Sequence, residues 1–262
     1  MDLVLPQPQA ELKSASQLAR VSTERWTVDN FYCAACGTGL TAYPTGTKVY
    51  DFYSPECREN FQLKSASHVF STSILGGEYN TTRESIVKDA FPSLILLHYD
   101  RARWTVEDLS LVHRACITTS CIAPRNPLSP TARRAGWQGY TIRLGQIPAQ
   151  GVIEVVRRGH VREKADVLAQ WRQTDSLLKA RPETRGWLAD VLRCVERCFA
   201  TFTLANVYAF EGELAAKHPE NHNIRAKIRQ QLQVLRDLGF IEFLGSGEYR
   251  HRGAYTSTRD RK

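Results

Sequence analysis

The sequence predicts a mixed α/β (α+β) fold in two domains, residues 1–181 and 182–262. Three observations lead to it. Leu94-Ile-Leu-Leu-His-Tyr99 is an apolar run of strand length, as expected for a strand buried on both faces. Arg181-Pro182-Glu183 interrupts the pattern, and a different organisation begins after it. The segment that follows reads as three helices and a hairpin, the plan of a winged helix-turn-helix.

Along the first domain, a polar surface helix is expected from about Gln9 to Thr23. Glycines and prolines then dominate between about Phe31 and Tyr53, which predicts turns and short strand-like pieces. Val49-Tyr-Asp-Phe-Tyr53 and Phe61-Gln-Leu-Lys-Ser65 alternate as strands. Ser85–Ala90 reads as a helix end closed by Pro92. Val152–Arg157 is a further strand and Lys164–Leu178 a helix. In the second domain, Trp187–Phe199 is an amphipathic helix, and Thr203 is a candidate N-cap for a helix reaching about Ala216. Ile224, Ile228, Leu232, Leu235 and Leu238 form the apolar stripe of a third helix, ended by Gly239. Phe240–Tyr249 then turns about Gly-Ser-Gly as a hairpin, and His218-Pro-Glu-Asn-His222 reads as a turn between helices.

Composition narrows the partners. The 262 residues are 42% hydrophobic and 24% charged, an ordinary globular balance. No apolar run approaches the ~18 residues of a membrane span, and the N-terminus lacks the basic start and apolar stretch of a secretory signal. A monomer in the cytoplasm, away from membranes, is expected. Thirty-five Lys and Arg against 27 Asp and Glu give a net charge of +8, which suits a polyanionic partner. Between Ser110 and Ile153 no acid occurs, while Arg114, Arg125, Arg133, Arg134 and Arg143 fall inside, a pattern suited to tracking phosphates. On the third C-terminal helix, the face opposite the apolar stripe carries Asn223, Lys227, Gln230 and Gln233, flanked by Arg225, Arg229 and Arg236. Such amides bond adenine edges, and arginines bond guanine or phosphate. Seven cysteines without a signal peptide argue against a disulfide framework. Cys116, Cys121, Cys194 and Cys198 read as core thiols, leaving Cys33-Ala-Ala-Cys36 as the pair with ligand spacing.

The residues with a chemical logic are Asp51, Gln62 and Lys64. Period-two alternation puts Gln62 and Lys64 on one strand face, and a hairpin pairing brings Asp51 to them. Asp51, the Gln62 amide oxygen and the Leu63 carbonyl form a hard-cation site suited to Mg²⁺, beside which Lys64 positions or deprotonates a water. This is the PD-(D/E)xK nuclease layout with Gln in the usual acidic position.

Longer blocks carry a family resemblance. They are Lys13-Ser-Ala-Ser-Gln-Leu-Ala-Arg-Val-Ser-Thr-Glu-Arg-Trp26, Asp51-Phe-Tyr with Gln62-Leu-Lys-Ser, Pro127-Leu-Ser-Pro-Thr-Ala-Arg-Arg-Ala-Gly-Trp137, Arg185-Gly-Trp187 and Lys227-Ile-Arg-Gln-Gln-Leu-Gln-Val-Leu-Arg-Asp237. The chain resembles the Dam-replacing (DpnI) family of methyl-directed restriction endonucleases over nearly its whole length. The resemblance implies a PD-(D/E)xK nuclease domain with a zinc-knuckle-like insertion, followed by a winged helix, each able to recognise double-stranded, adenine-methylated DNA. It places the catalytic roles on Asp51, Gln62 and Lys64, and cleavage at methylated GATC. Gln62 stands where the family has Glu, so the alternative is a non-cleaving reader or regulator of methylated DNA. The resemblance also implies a zinc held by two Cys-x-x-Cys pairs. The second pair here is Ser54-Pro-Glu-Cys57, which leaves either one structural Zn²⁺ on Cys33, Cys36 and Cys57 or a knuckle that folds without metal. Arg133 and Arg134 are expected to hold phosphates or base edges, and Trp137 either to pack against adenine methyls or to belong to the core. Glu24 is either a solvated helix residue or an acid supporting the metal site.

Overall fold

The computed structural model describes residues 1–7, 14–47 and 49–252. Residues Gln9–Lys13 of the expected first helix and 253–262 of the second domain lie outside the described residues. In chain order the elements begin with α1 (Ala15–Asn30), β1 (Thr41–Ala42), β2 (Phe52–Tyr53), β3 (Asn60–Ala66), β4 (Ser73–Glu78) and α2 (Tyr79–Val87). Next come β5 (Ser93–Asp100), β6 (Thr105–Val112), β7 (Ile122–Pro124), β8 (Gly139–Arg143), β9 (Val152–Arg157), β10 (His160–Val161) and α3 (Lys164–Asp175). The C-terminal part holds α4 (Pro182–Val195), β11 (Thr201–Thr203), α5 (Leu204–Tyr208), α6 (Glu211–Lys217), α7 (Ile224–Asp237), β12 (Ile241–Gly245) and β13 (Glu248–His251).

A seven-stranded sheet of order β1-β2-β3-β5-β6-β9-β10 organises the N-terminal part, with β3 and β5 parallel and their other neighbours antiparallel. The apolar run on β5 is its centre, as the sequence predicted, because Leu94–Leu97 are buried on both faces. One face packs Phe61, Ile95, Leu97 and Leu111 against Trp26 of α1 and Trp171 of α3. The other packs Leu94 and Val112 in one core with Ile142 of β8, with Trp187, Leu188 and Val191 of α4, and with Ile228 and Leu232 of α7. A smaller sheet, β4-β8-β7, stands beside it. The C-terminal helices and the sheet β11-β13-β12 form the winged helix, with the wing turning through Gly245 and Gly247 in left-handed backbone.

Four expected boundaries move, the simplest being the helix expected over Trp187–Phe199, which is α4, starting five residues earlier at Pro182 and ending at Val195. The first helix is not Gln9–Thr23. It begins after the Ser14 cap, whose hydroxyl accepts the Gln17 amide, and runs on to Asn30. The Thr23 and Thr27 hydroxyls bond back to the carbonyls of Ala19 and Thr23, which lets polar β-branched residues stay helical while Trp26 is fully buried. Val49–Tyr53 is a strand only at Phe52–Tyr53, because Val49 lies at φ 73°. The helix after Thr203 is broken into α5 and α6, although the Thr203 cap forms a full capping box with Asn206. His218–His222 is the turn between α6 and α7, as expected.

Candidate functional site: a carboxylate–amide–lysine centre and its DNA-facing elements

The two-residue β2 positions Asp51. Phe52 pairs with Phe61, and the Asp51 amide donates to the Phe61 carbonyl at 2.9 Å. Beyond that point β2 no longer covers the edge of β3, so the Asp51 carboxylate itself takes over: its Oδ2 accepts the Leu63 amide at 2.8 Å. Backbone alternation aims the Leu63 carbonyl to the same open edge. Gln62 donates its amide to the Val49 carbonyl at 2.9 Å, which leaves its Oε1 buried with no hydrogen-bond partner among the described residues. An orphaned acceptor of this kind costs roughly 1–3 kcal/mol unless something binds it. A hard cation is a fitting occupant, since Asp51 and the Leu63 carbonyl offer further oxygens.

Electrostatics tie Lys64 to this group. Burial raises the Asp51 carboxyl above the ordinary range, although the Leu63 amide and the charges of Lys64 and Arg20 pull it back. Burial lowers the Lys64 ammonium, and the Asp51 charge opposes that shift. Glu24 of α1 lines the same shallow cleft as Asp51, with Arg20, Tyr43 and Tyr50. Its carboxyl is raised, first by burial and then by the Asp51 charge, against the lowering pull of Arg20 at 3.7 Å. A second acid is therefore within electrostatic reach of the centre. Val49 carried no signal in the sequence beyond strand alternation. A β-branched residue at φ 73° stores ~1–3 kcal/mol of strain, and here the strained carbonyl is the one that orients Gln62.

Cys33, Cys36 and Cys57 converge with their sulfurs within 4.8 Å of one another, and Cys33 Sγ lies 3.5 Å from Cys57 Sγ. Zinc–sulfur bonds of ~2.3 Å need sulfurs about 3.8 Å apart, so the spacing suits that ion. Ser54 closes the fourth side, fully buried, with its Oγ 3.2 Å from Cys36 Sγ and 3.3 Å from Thr38 Oγ1. Burial pushes the Cys33 thiol up to about 12. Burial also opposes ionisation of Cys36, but hydrogen bonds from Ser54 and Thr38 outweigh it and bring that thiol down to about 6. Cys116, Cys121, Cys194 and Cys198 are buried core thiols, as read from the sequence.

Part of the acid-free stretch is core rather than surface. Arg114 is occupied by Asp89 at 2.9 Å and Glu59 at 3.5 Å. The exposed part is the loop between β7 and β8, which holds Arg125, Arg133 and Arg134 in solvent. Trp137 is half-buried, not a core residue: its ring lies against Gly139, where an added Cβ would sit 3.1 Å from it, and the Arg134 guanidinium covers it at 5.0 Å. On α7, Asn223, Gln230 and Gln233 are exposed and Lys227 half-buried, donating to Gln230 at 2.9 Å. Arg225 and Arg229 are exposed but steered by neighbouring helices, through Glu211 at 2.8 Å and the Tyr208 hydroxyl at 2.7 Å. The structure leaves the trio on the nuclease-like sheet and the α7 group on the winged helix as separate assemblies.

An open sheet edge carrying Asp51, Gln62 and Lys64 is joined here to a winged helix, the plan of a DNA-binding protein. The chain belongs to the Dam-replacing (DpnI) family: residues 1–180 match that family, and residues 183–251 match the Dam-replacing HTH domain. Membership places it among restriction endonucleases that bind DNA. Among the described residues, no helix is long and apolar enough to cross a membrane.

Proposed function

We propose that this protein is a type II restriction endonuclease that cuts double-stranded DNA at adenine-methylated GATC by metal-dependent phosphodiester hydrolysis. The observation that carries the catalytic part is the buried Gln62 Oε1, unpartnered among the described residues, beside the Asp51 carboxylate. Asp51, Gln62 and the Leu63 carbonyl would hold Mg²⁺, which supplies polarisation of the scissile phosphate. Lys64, its basicity reduced by burial, orients the attacking water and takes part in its deprotonation. Arg133 and Arg134 hold the DNA backbone or base edges, and Trp137 offers the adenine methyls a flat apolar surface. Asn223, Arg225, Lys227, Arg229, Gln230 and Gln233 of the winged helix read a second copy of the site. The protein acts as a monomer, with the domain division at 181/182. One methyl is worth only ~1 kcal/mol of burial, so selectivity needs both readers together.

Plasmid from a methylating host, incubated with the protein and Mg²⁺, is expected to fall to a GATC fragment pattern while the same plasmid from a non-methylating host stays intact. Methylated plasmid left intact across Mg²⁺, Mn²⁺ and Co²⁺ overturns the proposal. Gln62, a neutral ligand where a carboxylate is usual, favours one second reading, a non-cleaving reader of methylated DNA. Methyl-dependent binding without cleavage, unchanged by Asp51→Ala, would establish it.

We also propose one structural Zn²⁺ on Cys33, Cys36 and Cys57, with Ser54 filling the fourth side. Because a hydroxyl replaces a thiolate, Ser54→Cys is expected to slow zinc loss to a chelator at least about tenfold. Equal chelation rates, or protein purified without zinc, would count against the site.

A further inference from the structure

The polar side of the main sheet continues beyond Lys64. The strand registers align Lys64 with Leu96, Leu96 with Ser110 and Ser110 with Glu154; one step further along, Ala66 meets His98 and His98 meets Asp108. Since paired residues share a face, these side chains lie on one surface, a strand spacing of ~4.8 Å at a time from Lys64. Past Leu94 and Val112, which lie in the core, Leu96, His98, Asp108, Ser110 and Glu154 floor a cleft of about 720 Å³, walled by Phe70 and Leu144 and edged by Arg193 and Arg197 at the end of α4. Its size is that of a small-molecule site, and mixed apolar walls with a few convergent polar groups are the usual lining.

The polar groups are held in fixed roles. Asp108 Oδ2 lies 2.7 Å from His98 Nδ1, and its Oδ1 accepts the Arg158 amide at 2.9 Å. A carboxylate accepting on both oxygens holds the imidazole by a proton on Nδ1 and turns Nε2, without a partner among the described residues, to the ligand. Among the described residues the Ser110 hydroxyl is likewise unengaged, and the Glu154 carboxylate meets the exposed Arg157 at 3.4 Å. At the mouth, Arg158 has no ion-pair partner among the described residues, whereas Arg193 and Arg197 share Glu213. The ligand that fits has a flat ring whose hydrogen-bonding edge meets His98 and gives an N–H to Glu154, and an anionic group for the arginine edge. A bare polyanion would meet Asp108 and Glu154 on the floor, and a lipid tail would strand all of these polar groups.

We propose that this cleft binds a nucleotide, base inward and phosphate at Arg157 and Arg158. Two sources supply that chemistry: a free nucleotide, or a nucleotide of the DNA strand swung out of the stack beside Lys64, which costs a few kilocalories of unstacking. The proposal stands on the cleft's own groups and does not depend on cleavage.

The test uses the full chain without divalent metal, so that hydrolysis plays no part. In calorimetric titration, dAMP is expected to bind at about millimolar concentration or below, and deoxyadenosine or inorganic phosphate at least about tenfold more weakly. Arg158→Ala, at an exposed position, and Glu154→Gln are each expected to weaken dAMP about tenfold, whereas Asp51→Asn leaves it unchanged. For the second source, 2-aminopurine is placed beside GATC in a duplex. A fluorescence rise that Ser110→Leu removes assigns the site to the DNA strand, and dAMP binding without that rise assigns it to free nucleotide. No dAMP binding up to about 10 mM and no fluorescence rise, or binding indifferent to all the cleft variants, overturns the proposal.

Discussion

Asp51→Asn is expected to reduce DNA cleavage at least about a thousandfold while leaving the protein as stable at neutral pH, or more stable. Losing a carboxylate that supports several kilocalories of transition-state stabilisation gives a rate effect of that size. The stability half follows from the environment. Burial raises the Asp51 carboxyl in the folded chain, so the folded state binds this proton more tightly than the unfolded one. A raised value means the group favours folding most below the ordinary aspartate range, and that contribution disappears as pH rises through the folded value. At neutral pH the charged carboxylate is a net cost to folding, which the neutral amide removes while still able to accept from the Leu63 amide. The same shifts bound the activity profile. Its acid limb should lie above that of an ordinary aspartate, and an alkaline limb set by Lys64 below that of an ordinary lysine. Parallel melting curves and a cleavage time course test both halves. Retained cleavage removes Asp51 from the catalytic centre, and a lowered melting temperature refutes the stored cost.

Asp89→Ala is expected to lower the melting temperature by about 6–10 °C, far more than a half-exposed loop residue would ordinarily cost. Asp89 Oδ1 accepts from Arg114 at 2.9 Å and from Arg185 at 2.6 Å. Arg114 also faces Glu59, and Glu59 accepts from Ser93, so the chain of contacts runs from α4 to the residue before β3. Arg185 is only 8% exposed, and removing its carboxylate leaves a nearly buried guanidinium unpaired. Breaking a buried pair costs ~3–5 kcal/mol; with Asp89 itself 35% exposed, the lower end, about 3, applies. Burial alone would raise the Asp89 carboxyl, but the two arginines hold it below the ordinary range. Its stabilisation is therefore present above the ordinary aspartate value and lost as pH falls through the depressed one. The difference between wild type and variant should shrink in strong acid. Calorimetry at pH 7 and in acid reads both. A shift under about one degree at pH 7 would mean that the arginines find other partners.

Local pattern made some elements legible and left others hidden. The apolar run on β5, the stripe of α7 and the Gly-Ser-Gly wing are periodic or punctuated signals, and each appears where periodicity put it. Alternation also set Gln62 and Lys64 on one face of β3, because pleating allows no other arrangement in a regular strand. What failed depended on tertiary partners. α1 extends to Asn30 because Trp26 is buried against the sheet, and no helix propensity announces that. Val49 turns left-handed against its own preference to feed a carbonyl to Gln62. The Asp89–Arg185 contact joins residues 96 positions apart, beyond any spacing rule. Arg114 showed the limit of counting charges, since the acid-free stretch conceals acids that approach it from elsewhere.

The core shared by the main sheet and the C-terminal helices has a consequence for the order of synthesis. Leu94 and Val112 share one buried core with Trp187, Val191 and Ile228, which emerge after the whole nuclease half has been made. At ~5–20 residues per second, that sheet face waits roughly 4–14 s for its cover. A chain that has released residues 1–181 but not yet the winged helix is thus an unfinished solid, with an apolar face still wet. Timing is built into the packing: the main sheet gains its full support only when the C-terminal helices have also arrived.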